Sequence, residues 1–70
     1  MMSHDEIRAA LQANVGKRVR ITYTDGVTEI VDISSVDVDG VGFVGSGPNG
    51  ENPAGFWTRI ESVSDVSTQF

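Results

Sequence analysis

The residues of this chain whose types suit chemistry are few: one histidine (His4), a basic cluster at Lys17, Arg18 and Arg20, and an aromatic pair at Phe56 and Trp57 with Arg59 beside it. Lysine and arginine are the side chains that hold phosphate, so Lys17, Arg18 and Arg20, with Tyr23 nearby, form a candidate contact for RNA or another anion. Phe56 and Trp57 are neighbours, and a strand carrying both turns one inward and the other outward. Exposed aromatics and arginines are enriched at protein interfaces, which makes Phe56, Trp57 and Arg59 a candidate interface.

Other patterns promise more than they deliver. Gly45-Ser46-Gly47-Pro48-Asn49-Gly50 spells G-x-G-x-x-G, but the dinucleotide turn of that spelling opens a helix whose N-terminus holds pyrophosphate. Pro53 and Gly55 forbid such a helix, so a solvent-exposed loop over about 45–55 is expected. Asp37-Val38-Asp39-Gly40 alternates acids before a glycine as a calcium loop does, yet Ser46 stands where the closing glutamate belongs. Turn chemistry explains Asp39-Gly40. Serine, histidine and aspartate are all present, but a triad is a geometry and not a composition. No catalytic residue, metal site or cofactor is expected, since cysteine is absent and His4 is the one imidazole.

The elements that must position these residues are legible from spacing. Ser3 and Glu6 form the S-x-x-E capping box of a helix, about 4–15. Ile7, Ala10, Leu11 and Val15 make its apolar stripe, and Gly16 stops it as a C′ residue. From Arg18 the period becomes two, with Val19, Ile21 and Tyr23 facing one way and Arg18, Arg20 and Thr22 the other. Asp25-Gly26 predicts a two-residue type I′ hairpin. The β-branched run from Val27 to Val38 is too long for a straight strand, so a bend or bulge is expected near Ser34-Ser35. Asp39-Gly40 predicts a second hairpin, and Val41 with Phe43 the inward face of a third strand. Phe56, Thr58 and Ile60 alternate with Trp57 and Arg59 in a fourth, and a turn near Glu61-Ser62 leads to Val63 and Val66 in a fifth. Closing these strands into a small barrel over about 17–66 would leave no apolar edge exposed.

Seventy residues make one domain, 1–70, and bury only about 60% of the surface the unfolded chain exposes. Without cysteine or a metal, oligomerisation is the remaining source of added stability. Net charge is −5, which counts against nucleic acid. Residues 1–24 carry four basic and two acidic side chains, while residues 25–70 carry one basic and eight acidic. That polarity would favour head-to-tail packing of identical subunits. No apolar run approaches the roughly 18 residues of a membrane span, and Ser3-His4-Asp5-Glu6 is unlike a signal peptide, so the expected location is cytoplasmic with no membrane partner.

The run from Gly16 through Lys17, Arg18, Val19, Arg20, Ile21, Thr22, Tyr23, Thr24 and Asp25 to Gly26 resembles the opening strand of Sm-like and related SH3-like small barrels. The order of elements is similar over about residues 3–66. The resemblance implies a mainly β fold: an N-terminal α-helix, then a five-stranded, strongly bent antiparallel barrel. It also implies ring assembly. Sm-like RNA binders carry an Asn or Asp after the bent strand, a position Asp37 or Asp39 matches, and an Arg-Gly or Lys-His pair near the fourth. Arg59 is followed by Ile60, so that second motif lacks its glycine. The expected function is a non-enzymatic module that forms a homo-oligomer or binds another protein, with RNA or another anion at Lys17, Arg18 and Arg20 as the alternative.

Overall fold

The computed structural model describes residues 1–47 and 55–69. Helix α1 runs His4–Ala13, followed by β1 Arg18–Tyr23, β2 Thr28–Val36, β3 Gly42–Ser46, β4 Phe56–Arg59, a 3-10 turn Ile60–Ser62 and β5 Val63–Ser67. The fold is mainly β, with one helix and one antiparallel sheet of order β4-β3-β2-β1-β5.

Helix α1 starts where the capping box requires. The Ser3 hydroxyl accepts from Glu6 N–H and the Glu6 carboxylate accepts from Ser3 N–H, which holds the Glu6 carboxyl below its ordinary pKa. The far end differs from expectation. Asn14 caps the helix, with its backbone N–H donating to Leu11 and its side chain to the Ala10 carbonyl. The helix therefore stops two residues short of Val15, which is 46% exposed and outside the apolar stripe. Gly16 lies beyond the cap and donates instead to the Ile33 carbonyl.

The first hairpin also departs from the predicted form. Tyr23 N–H donates to the Val27 carbonyl and Gly26 N–H to the Tyr23 carbonyl, so the loop is three residues, Thr24–Gly26. Gly26 takes the positive φ of 89°, as in the three-residue hairpin whose last residue is left-handed. Its partner hairpin repeats the local plan one residue longer. Asp37 donates to Gly42, Gly40 donates to Asp37, and Gly40 has φ 73°. In both turns the aspartate Oδ1 accepts from the amide two residues on, Asp25 from Val27 and Asp39 from Val41.

The predicted bend in the long strand is present. Ile33 pairs with Gly45 and Ser35 with Val44, so Ser34 is the extra residue of a bulge. Two expectations for the third strand fail. Val41 lies before β3 and is 41% exposed, leaving Phe43 as its inward side chain. Gly45, expected to begin the loop, pairs with Ile33 and Phe56 in the interior of the sheet. A glycine is admitted there because a Cβ would lie 2.3 Å from Val31 Cγ1. The rest of the predicted 45–55 loop falls mostly on 48–54, outside the described residues, as does Gly50 of the G-x-G-x-x-G run.

The sequence predicts closure into a barrel; among the described residues the sheet is open, with β4 and β5 its outer strands. They are nonetheless consecutive in the chain, joined by a three-residue 3-10 turn whose rise spans only about 6 Å. Opposite edges linked so tightly require a strongly curled sheet. One side of it buries Val19, Ile21, Val31, Ile33, Phe43 and Val63 against Ile7 and Leu11 of α1 and Ile60 of the turn. His4 and Arg8 pin the helix to the β2–β3 turn: His4 Nε2–H donates to the Gly40 carbonyl and Arg8 to that of Val38.

Candidate interaction surface

β4 is an outer strand, and its alternation sorts the candidate interface residues. Phe56 points inward and packs on the core. Trp57 points outward and is 49% exposed, with Arg59 on the same face. Ile60 N–H donates to the Val41 carbonyl. By alternation the backbone groups of Thr58 and Phe56 also turn toward β3, leaving those of Trp57 and Arg59 on the open edge.

Trp57 is fixed in place by Gly42 and Asp37, neither of which local sequence pattern connects with it. Its ring lies diagonally across Gly42, where a Cβ would come within 2.3 Å of ring atoms, so the glycine is the seat of the indole. Its Nε1–H donates to Asp37 Oδ2 at 2.7 Å. The Arg59 guanidinium sits 5.9 Å from the ring centroid and 3.6 Å from the Glu61 carboxylate. A half-exposed indole held this way is a rigid, preorganised contact element.

Lys17, Arg18 and Arg20 are exposed, with Arg18 and Arg20 on the outer face of β1. The cross-strand register sets Arg18 opposite Asp32. Arg18 Nε donates to Asp32 Oδ1 at 2.8 Å, and this hydrogen bond holds the Asp32 carboxyl below its ordinary range. Arg18 is thereby paired within the chain at a solvent-exposed bridge, which leaves Lys17 and Arg20 as the rest of the basic cluster. Since β1 lies between β2 and β5, the charge split along the sequence is interleaved in space.

A cleft of about 330 Å³ opens between the start of α1, the β2–β3 turn and the end of β4, lined by His4, Asp39, Gly40, Val41, Arg59 and Glu61. His4 within it is tied to a backbone carbonyl. Among the described residues no three His, Cys, Asp or Glu side chains are grouped to hold a metal ion, and no helix is long and apolar enough to cross a membrane.

A second polar pair lies on the inner face. The Tyr23 hydroxyl donates to Glu29, and partial burial, reinforced by that bond, pushes the phenol pKa well above its ordinary value. The fold therefore favours the neutral phenol. This contribution is complete below the unfolded pKa of about 10 and is lost as pH rises beyond it. Tyr23 is the single tyrosine, so absorbance of the ionised phenol reports it alone. In an alkaline titration the signal is expected to rise together with loss of the far-UV circular dichroism. Ionisation at an ordinary pKa in the still-folded chain would contradict this.

No family model, curated protein or solved structure matches the chain.

Proposed function

We propose that this chain is a non-enzymatic small-barrel module of the Sm-like or SH3-like kind that self-associates by strand addition along the edges of β4 and β5. The observation that carries the reading is the open sheet, whose two outer strands belong to the same chain. Unpaired edges are templates for another strand. A heterologous contact between one copy's β4 and the next copy's β5 leads to a ring when the rotation closes. Opposite charges support that pairing, since Arg59 lies on β4, its own contact with Glu61 a loose 3.6 Å beside the 2.8 Å of Arg18 to Asp32, and Asp65 lies on β5. Trp57 stands beside the β4 edge as an aromatic anchor. Anion or RNA binding at Lys17, Arg18 and Arg20 is the weaker reading, because Asp32 already occupies Arg18.

Arg59→Pro tests the proposal. Arg59 has φ −76°, within reach of a proline ring, and its N–H faces the open edge, so the substitution removes an edge donor without cutting the β3–β4 ladder. Light scattering over a concentration series is expected to show a concentration-dependent oligomer for the unsubstituted chain and an association about tenfold weaker or more for Arg59→Pro. A monomer at every concentration for the unsubstituted chain overturns the proposal, as does undiminished association of the folded variant.

A further inference from the structure

Among the described residues no strand pairs with the outer edge of β5, yet two of its groups are capped by Met2. β5 turns the Ser64 carbonyl and the Val66 N–H away from β1, and both are bonded to Met2: Met2 N–H donates to Ser64 O at 3.0 Å and Val66 N–H donates to Met2 Sδ at 3.4 Å. An incoming parallel strand would meet these same two groups with the N–H and the carbonyl oxygen of a single residue. Met2 thus imitates one residue of a sixth strand, with its thioether standing where a carbonyl oxygen belongs. A thioether is a weak acceptor, so the second of the two points is the easier to break. Met2 is only partly buried, packed against the rim of the core. A cavity of about 180 Å³ lined in part by Met2, Ile7, Ile60 and Val63 gives its flexible side chain room to leave the edge.

We infer that Met2 is a displaceable guard on the β5 edge, competing with the strand that a second copy of this chain would add there. The inference rests on the proposal that β4 and β5 are the self-association edges. The guard sets how much of the population presents a bare β5 edge, and so scales the apparent affinity between copies. It also protects a strand that would otherwise show its unsatisfied groups to any extended segment.

Met2→Leu separates the guard from simple packing, because it keeps the bulk and apolarity of the side chain and removes the sulfur acceptor. Two readouts are taken on the full chain. In dilute solution, amide hydrogen exchange at Val66 is expected to accelerate about threefold to tenfold in Met2→Leu, with the β1 amides unchanged. In light scattering, the dissociation constant between copies is expected to fall by a similar factor. Unchanged exchange at Val66 overturns the guard, whatever the association does. Accelerated exchange with an unaltered, measurable dissociation constant overturns the competition. Accelerated exchange in a chain that stays monomeric, in both forms and at every concentration, overturns the self-association proposal and with it the occupant assigned to the edge.

Discussion

Phe43→Ala is expected to leave the chain largely unfolded in buffer. Phe43 is the largest fully buried side chain among the described residues and sits on β3, between β2 and β4. Truncating a buried phenylalanine costs about 3–5 kcal/mol. In a chain of this length a single core rarely supplies more than about 3–5 kcal/mol in total, and no disulfide limits the unfolded ensemble, since the chain contains no cysteine. The neighbour on the inner face of the same strand worsens the loss: Gly45 has no side chain to lean into the space vacated. Far-UV circular dichroism and urea titration check the expectation, with Phe43→Leu as a control that keeps most of the volume and the fold. A cooperative transition for Phe43→Ala within about 1 kcal/mol of the unsubstituted chain would mean that the core does not depend on this ring.

Adding a single methyl group at Gly45 should also destabilise the fold, by a smaller amount. Its Cβ would lie 2.3 Å from Val31 Cγ1 and 3.3 Å from the Asp32 carbonyl oxygen. Val31 is completely buried and β-branched, so no alternative rotamer relieves the clash cheaply. The Asp32 oxygen is backbone within the β2–β3 ladder. Overpacking of this kind costs about 1–3 kcal/mol, and the midpoint of urea unfolding is expected to fall with little change in its slope. Val31→Ala removes the atom in the way. The double variant should therefore be more stable than the sum of the two single losses implies, by about 1 kcal/mol. Strict additivity would show that β3 shifts away from β2 instead of compressing Val31.

These expectations draw on contacts that only partly follow from local pattern. Ser3 and Glu6, the alternation through Val19 and Ile21, and the surplus residue at Ser34 are local features, and each is legible because helix caps and pleated strands have fixed periods. The Asp25-Gly26 dipeptide marks the place of the turn but not its length, which is three residues instead of two. That dipeptide also suits a type I turn followed by a left-handed glycine, and the choice depends on Tyr23 pairing with Val27. Val15 and Val41 were drawn inward by their apolarity, although Asn14 ends the helix early and the four-residue turn after Asp37 leaves Val41 outside β3. Trp57 facing outward was readable from Phe56, its neighbour. Its seat on Gly42 and its bond to Asp37 were not, since both depend on the register across β3. The same holds for Arg18: its basic character is plain in the sequence, and its pairing with Asp32 follows only once the hairpin length is known.

The two aspartate-glycine turns bear on how this chain ages. Isoaspartate arises when the glycine nitrogen, giving up its proton, attacks the side-chain carboxyl carbon of the preceding aspartate and closes a succinimide ring with loss of water, after which water reopens the ring at the aspartate's α-carbonyl. Here the Gly26 and Gly40 nitrogens donate to the Tyr23 and Asp37 carbonyls, while the Asp25 and Asp39 carboxylates are held by the amides of Val27 and Val41. Ring closure must first break both bonds at a turn. Damage at these two steps is therefore governed by how often each turn opens, not by the intrinsic lability of the dipeptide, and the chemical lifetime of each of these aspartates is tied to the integrity of its hairpin.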